Sequence, residues 1–359
     1  MGYQKEKAIT SVFMVIFFYL SWLLVRHRGP KVGAAPYART WKLAGKGTGP
    51  ELLLAARAGS VEGVRSLLDR GAPISAANNM GVTSLIMAAS GGYPAVVQEL
   101  IERGAKVDAR DTWGGTALIS AAMGTYLGQF QGIMSPGHRE CIFLLLKAKA
   151  NVEFRKMGNG DTAFTLAARR NDLEAAVALL DAGSDINAYD KEGKTALLYT
   201  LEEGRKEMRD MLLARGADVN YAERDDNFGA LMRAAEWGDV ELAKILLDKG
   251  ANVNAAGLWD RRTSLMRAAQ RNNMDLVKLF CDKGANLDAS HNDGQTALMM
   301  AAQEGHVDLV KELIKRGADL TVKNGWRHDG PTAKGLAEAA GKLEVVKVLE
   351  AAETAAAAK

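Results

Sequence analysis

A pattern of apolar and polar positions repeats along most of the chain. Each copy holds an apolar run with small residues, a polar gap, a second run with apolar residues three and four places apart, and a Gly-Ala pair or close variant. That spacing predicts two short helices per copy. Successive pairs lie 33, 45, 34, 33, 34, 34 and 33 residues apart. They begin at Gly71, Gly104, Lys149, Gly183, Gly216, Gly250, Gly284 and Gly317. A fixed period predicts a stack of units, each supported by its neighbours.

The residues that frame each copy have separate structural reasons. Most first helices follow a threonine, which can accept from the free N–H groups of the first turn and contributes about 1 kcal/mol. Paired alanines keep that helix thin, and the Gly-Ala glycine ends the second helix in a left-handed conformation. We expect Asp or Asn two and four places later, as at Asp185 and Asn187, to bond the turn backbone. The starting residues are Thr83, Thr116, Thr162, Thr195, Gly229, Thr263, Thr296 and Thr332.

The segment 293–320, DGQTALMMAAQEGHVDLVKELIKRGADL, resembles the ankyrin repeat, whose pattern is approximately D-x-x-G-x-T-P-L-H-x-A-A-x-x-G-H-x-x-V-V-x-x-L-L-x-x-G-A-D-V-N. The resemblance covers about residues 51–354. The alanine-rich repeats are similar to those of bacterial ankyrin-repeat proteins. It implies an all-α ankyrin-repeat solenoid of about nine helix-turn-helix units with hairpin loops. It also implies a monomeric repeat domain that binds a protein partner without catalysis, cofactor or metal.

The third unit departs most from the pattern. Lys149 stands where the other pairs have glycine, at an expected cost of about 1 kcal/mol or more. An insertion at 124–137, GTYLGQFQGIMSPG, lengthens the turn between the two helices of this unit by about twelve residues. A loop of that size is usually functional or disordered. The alternative interpretation is that its apolar side chains fold back over the helix ends.

An uncharged apolar stretch precedes the repeats. After a tail at 1–7, residues 8–25 predict a transmembrane helix or signal anchor, because eighteen residues span about 27 Å of a hydrocarbon core of roughly 30 Å. Residues 26–50 read as a basic flexible linker, and 355–359 as a disordered tail. The residues expected within the bilayer are Val12, Phe13, Val15, Ile16, Phe17, Phe18, Leu20, Trp22 and Leu23.

Charge next to this stretch predicts its orientation. Lys5 and Lys7 precede it, whereas five Lys or Arg residues follow it within about twenty positions, which favours repeats on the cytoplasmic side. The alternative is a cleaved signal peptide and a periplasmic or secreted protein, but charged residues come before any small-residue cleavage site. Residues 1–50 carry a net charge of +7 and leave about −4 for the remainder, which disfavours nucleic acid as a partner.

The ankyrin resemblance implies binding through hairpin tips and through the concave face of the first helices. Mapped onto this chain, three tips carry tryptophan, and two neighbouring units gather arginine near tryptophan. Both residue types are enriched at interface hot spots, so an acidic protein partner is expected. The alternative is that the tryptophans pack on adjacent hairpins while the arginines neutralise nearby Asp225, Asp226, Glu236 and Asp260. The predicted binding residues are Trp113, Tyr199, Arg233, Trp237, Trp259, Arg261, Arg267, Arg271 and Trp326.

These patterns favour a membrane-tethered, non-enzymatic scaffold or adaptor for protein–protein interaction. A hypothesis from another class is an enzyme or small-ligand site at the 124–137 loop, where His138 and Cys141 stand three residues apart on one predicted helix. This pair resembles a base and a nucleophile. However, Cys141 occupies a position where the repeat requires a buried apolar residue.

Overall fold

The computed structural model describes residues 48–124, 136–224, 227–325 and 330–357. Within them, eighteen helices form nine consecutive pairs. The first helices of the pairs are α1 (Thr48–Arg57), α3 (Ser84–Gly91), α5 (Ala117–Met123), α7 (Ala163–Arg169), α9 (Ala196–Glu202), α11 (Ala230–Trp237), α13 (Ser264–Gln270), α15 (Ala297–Glu304) and α17 (Ala333–Ala339). The second helices are α2 (Val61–Asp69), α4 (Pro94–Glu102), α6 (Pro136–Lys147), α8 (Leu173–Asp181), α10 (Lys206–Ala214), α12 (Val240–Asp248), α14 (Met274–Asp282), α16 (Val307–Lys315) and α18 (Leu343–Ala357).

The repeated region extends slightly beyond the predicted 51–354. Helix α1 begins at Thr48, inside the predicted linker, because Pro50 lies in the first turn, where no helical N–H partner is required. Helix α18 continues to Ala357, into the predicted tail, because a run of alanine has high helix propensity. The other predicted segments, at 1–7, 8–25 and 26–47, lie outside the described residues.

Among the described residues, no helix combines the length and the apolar character needed to cross a membrane. The segment predicted to do so, 8–25, is not among them. Most of the 124–137 insertion, residues 125–135, is also outside the described part. Its two ends are described: Gly124 caps α5, and Pro136 begins α6.

Threonine caps fix where the first helices begin. In six units the hydroxyl accepts from the N–H three residues later, as from Thr83 to Ile86 at 3.3 Å and from Thr116 to Ile119 at 3.2 Å. The predicted caps are therefore confirmed there. Thr332 makes no side-chain cap, contrary to the prediction, and Gly229 has no side chain to contribute.

Paired alanines make up much of the core between units. Ala167 and Ala168 of α7 have no exposed surface, and the same holds for the pairs of α5 and α11. Small side chains let neighbouring first helices approach closely. In α9 the bulkier Thr200 and Leu201 stand at these positions, and α9 and α11 are the most loosely packed neighbouring first helices.

The turns after the second helices bear out two predictions and correct a third. Gly183 has a φ of 95°, as a left-handed helix end requires, and Lys149 is forced to 61°. Asp185 Oδ1 accepts from the N–H of Asn187 at 2.9 Å, within its own turn. Asn187 Oδ1 instead accepts from the N–H of Asp218 in the next unit at 2.8 Å. In six of the eight described turns, the second amide or carboxylate thus joins two units.

Candidate functional site

The candidate site lies where the first helices of the fifth to seventh units adjoin the hairpins that precede them. We call the charged side chains there the first-helix network. Each of its cations meets at least one of its carboxylates within 4 Å. Its members are Lys194, Glu202, Glu223, Arg233, Glu236, Asp260, Arg267 and Arg271.

Arg233 occupies the middle of this network. It stands directly before the Ala-Ala pair of α11, and its side chain is only 8% exposed. One terminal nitrogen lies 2.7 Å from Glu202 Oε1, and the other donates to Glu223. Lys194 Nζ contacts the same two carboxylates at 3.0 and 3.4 Å. Desolvated charges at this depth persist because they are paired with one another.

Arg267 holds the equivalent place in the next unit. It donates to Asp260 at 2.9 Å and to Glu236 at 3.3 Å. The ring of Phe228 lies between the two arginines, with its centroid 5.0 Å from the Arg233 guanidinium carbon and 4.8 Å from that of Arg267. The Nε atoms of both arginines are buried and without a hydrogen-bond partner in the described structure. The ring of Phe228 attracts both guanidinium groups through its π face.

Glu236 links the network to Arg271. Burial by itself raises the pKa of this carboxyl, but hydrogen bonds and charge from Arg271 and then Arg267 outweigh burial, so the pKa lies below its usual value. Arg271 is half exposed and donates to Glu236. The carboxylate therefore stays ionised between two cations and neutralises part of their charge.

These contacts show that the predicted cationic surface is largely neutralised within the chain, whereas its binding of an acidic partner stays a prediction. Arg233, Arg267 and Arg271 are all paired within the chain, and the first two are largely buried. The alternative interpretation, that nearby carboxylates neutralise the arginines, is confirmed for Glu236 and Asp260. Asp225 and Asp226 lie outside the described residues.

Tyr199 is half-buried in a neighbouring cluster. Its hydroxyl donates to Asp190, and its ring lies 5.2 Å from the Arg169 guanidinium carbon and 5.5 Å from Lys194 Nζ. Burial and then the hydrogen bond to Asp190 raise the pKa of Tyr199 well above its usual value. Asp161 is fully buried beside Arg169, at 3.2 Å. This tyrosine contributes to the packing between units, and its predicted role in binding stays a prediction.

The predicted tryptophans differ in exposure. Trp259 lies in the hairpin before α13 and is 71% exposed, with Leu258 beside it at 59%. Trp237 ends α11 and is 49% exposed, so the two tryptophans belong to opposite ends of the first helices. Trp113 is half-buried in its hairpin, where its carbonyl accepts from the N–H of Met157 at 2.7 Å. Trp326 lies outside the described residues.

Arg261 is an exposed residue of the same hairpin as Trp259. Its φ of 54° places it in the left-handed region, which an arginine rarely adopts. The turn is closed by its N–H, which donates to the Gly257 carbonyl at 3.1 Å. Of the predicted arginines, Arg261 alone has no ion pair with a described carboxylate, so its position at the tip remains compatible with binding.

The pair proposed for a catalytic alternative has the wrong environment for a nucleophile and a base. Cys141 is fully buried in α6, and burial, followed by the charge of Glu140, raises the pKa of its thiol to about 12. A thiol with that pKa stays protonated and unreactive at neutral pH. His138 is also buried, its Nε2 lies 3.1 Å from the Ser90 carbonyl oxygen, and desolvation lowers its pKa. Among the described residues, no group of three or more His, Cys, Asp or Glu could hold a metal ion.

Comparison with known proteins decides the family. The model for ankyrin repeats, three copies long, matches residues 52–131, 130–223, 193–257 and 231–324, which is well over half of the chain. The chain belongs to the ankyrin repeat family. It is also similar to the ankyrin repeat and KH domain-containing protein mask of Drosophila melanogaster, with 34% identity over 93 residues. That match covers 25% of this chain and 2% of the fly protein, so the chain spans only a small part of its relative's length.

One set of ankyrin hairpin residues was missed by sequence reasoning. The guanidinium groups of Arg155 and Arg224 lie over the ring of Tyr189, at 5.1 and 4.8 Å from its centroid. These three residues belong to three consecutive ankyrin repeats. The repeat period could have revealed this set, because residues about 34 places apart occupy equivalent positions in stacked units.

Proposed function

We propose that this chain is a non-catalytic ankyrin-repeat scaffold that binds a protein partner and is tethered to a membrane by residues 8–25. The observation that carries the first part is the exposure of Trp259 and Leu258 at one hairpin tip. Tryptophan is enriched among residues that dominate binding energy, and a large apolar pair in water gains free energy when a partner covers it. Hairpin tips project from the packed helices, so a partner can reach them.

The absence of a role for Cys141 and His138 in chemistry supports the non-catalytic half of the proposal. Both are buried, His138 contacts Ser90 of the second repeat, and the thiol is held in its unreactive form. Their environment is that of core residues. The enzyme alternative thereby loses the two side chains that suggested it.

The experiment for the partner is affinity capture of the tagged full chain in a mild detergent, with quantitative mass spectrometry. Two variants are compared with the wild type: Leu258→Ala with Trp259→Ala, and Leu343→Ala as the matched control. Leu343 is 71% exposed, as Trp259 is, but begins α18 at the far end of the repeats. We expect the hairpin variant to lose one specific protein by at least about tenfold, a difference of about 1.4 kcal/mol. Equal recovery by all three proteins contradicts this surface.

Membrane tethering rests on the composition of residues 8–25 and on the charges that follow them. The expected result is that the protein stays with membranes during alkaline carbonate extraction at its full mass. A reporter fused to the C-terminus should be active only on the cytoplasmic side. A shortened soluble product would instead favour the periplasmic or secreted alternative.

A further inference from the structure

A stacked cation–aromatic arrangement runs across the hairpins of the third to sixth repeats. Tyr189 lies at its centre, between the guanidinium groups of Arg155 and Arg224. We call the whole set the arginine–aromatic strip. Towards the third repeat it continues with Arg110, 5.0 Å from the Phe154 ring centroid, and towards the sixth with the Tyr221 ring, 5.4 Å from that of Tyr189. The strip comprises Arg110, Phe154, Arg155, Tyr189, Tyr221 and Arg224.

Hydrogen bonds fix the two central arginines. A terminal nitrogen of Arg155 donates to the Tyr189 carbonyl at 2.6 Å, and one of Arg224 donates to the Tyr189 hydroxyl at 3.0 Å. A guanidinium carries five N–H groups, so most of those on each arginine are left for another acceptor. Stacking on the ring restricts the side chains, which reduces the entropy lost when they bind.

None of the three strip arginines has a described carboxylate within ion-pair distance, unlike those of the first-helix network. The carboxylates near the strip in sequence have other partners: Glu223 pairs with Lys194 and Arg233, and two more accept from backbone groups. Glu153 accepts from the N–H of Asp185 at 3.1 Å, and Asp185 accepts from the N–H of Asn187 at 2.9 Å. Arg110 and Arg224 are exposed to solvent. In the first-helix network, carboxylates of the chain neutralise the arginines. The arginines of the strip are not neutralised in this way, so their positive charge is available to a ligand.

We propose that the arginine–aromatic strip binds an extended, carboxylate-rich segment of the protein partner, an inference that rests on the proposed scaffold function. Planar guanidinium groups suit carboxylates, which they hold through paired hydrogen bonds. Units stacked about 10 Å apart place the strip along roughly 30 Å, the length of about nine extended residues. A nucleic acid, which presents many phosphates, is the other polyanion that such a strip could attract, and the test below includes one.

The test measures binding of fluorescein-labelled deca-glutamate to the full chain in non-ionic detergent at low salt, by fluorescence anisotropy. The strip variant is Arg155→Gln with Arg224→Gln. The control is Arg103→Gln with Arg215→Gln, which removes the same charge from arginines paired with Asp69 and Asp181. We expect about fivefold weaker binding by the strip variant and little change in the control. Far-UV circular dichroism checks that every variant is folded.

A third variant, Tyr189→Leu, tests the role of stacking without changing charge. We expect it to weaken binding of the peptide by about threefold, because Arg155 and Arg224 lose the ring that orients them. Equal weakening in the strip variant and its charge-matched control overturns the proposal, since attraction would then be nonspecific. Failure of the wild type to bind the peptide, or equally tight binding of a labelled oligothymidylate, overturns it as well.

The result can be separated from that of the scaffold proposal. If the peptide does not bind while partner capture still depends on Leu258 and Trp259, only the strip inference fails. If the peptide binds through the strip while no protein is captured in a Trp259-dependent way, the strip inference stands and the hairpin tip is rejected as the scaffold's binding surface.

Discussion

Two groups of arginines in this ankyrin domain have opposite electrostatic surroundings. Arg233 and Arg267, on the first helices, are buried, and each contacts two carboxylates and the ring of Phe228. Arg155 and Arg224, on the hairpins, stack on an aromatic ring in the same manner but meet no described carboxylate. The same side chain thus stabilises the stack in one place and is available to a partner in the other. Burial and nearby carboxylates decide between the two roles, and residue type alone does not.

The largest effect should come from removing a carboxylate of the first-helix network. Glu223→Ala takes a partner from Arg233, whose side chain is 8% exposed, and from Lys194. Arg233 keeps Glu202, but a buried charge that loses one of two partners costs about 2 kcal/mol, which we expect as lost stability in urea unfolding followed by circular dichroism. Arg155→Gln is the comparison and should change stability far less. If both variants unfold at the same urea concentration, the two groups of arginines do not differ.

A second comparison concerns the rings beneath the arginines. Phe228→Leu removes the surface shared by Arg233 and Arg267 and should destabilise the protein by about 1–2 kcal/mol, because two desolvated cations lose their stacking partner. Tyr189→Leu removes the corresponding ring from more exposed arginines, where stacking contributes about 0.5–1 kcal/mol. Urea midpoints of the two variants, measured together, check the order. If Tyr189→Leu loses more stability than Phe228→Leu, the assignment of structural and exposed arginines is reversed.

A feature of the fold or of the candidate site could be predicted from the sequence when it repeats along the chain. Thr83 and Ala167 recur in phase, so the caps, the thin helices and the number of units follow from the sequence. The partners of Arg233 were not predicted, because Glu202 is 31 residues away and becomes a neighbour only when two units stack. Arg267 and Glu236 have the same separation. In two stacked units, the residue before the Ala-Ala pair of one unit therefore contacts the residue after the corresponding pair of the preceding unit. The repeat period predicts this relation, whereas composition does not.

The hairpins were harder to predict because their lengths vary. The insertion places Phe154 44 residues after Arg110, so their contact is hidden from a fixed period. Exposure also depends on neighbours: Trp259 and Tyr199 are both aromatic, yet Trp259 is exposed at a tip, whereas Tyr199 is half-buried and bonds Asp190. Sequence reasoning could name aromatic and cationic candidates, but their solvent exposure and pairing required the packed units.

A smaller effect should appear as a dependence of stability on pH. The pKa of Glu236 is lowered in the folded state, so its contribution is present above the pKa of the unfolded chain, about 4.3, and is lost as the pH falls through the folded pKa. Glu236→Gln should therefore destabilise the protein at pH 7 by up to about 1 kcal/mol and have less effect at pH 3.5. Urea unfolding of both proteins at the two pH values checks this. An equal difference at both would show that the ionised carboxylate contributes nothing.

The smallest effect is expected on the hairpins, and it bears most directly on function. Arg155→Gln with Arg224→Gln removes two charges that have no described carboxylate partner and only their contacts with Tyr189, so the free energy of unfolding should fall by at most about 1 kcal/mol at pH 7. It should also keep the wild-type dependence on pH, since no ion pair is broken. Urea unfolding at several pH values measures both quantities. A loss above about 1 kcal/mol would place these arginines with the structural group, and selection for stability would then suffice to explain their presence.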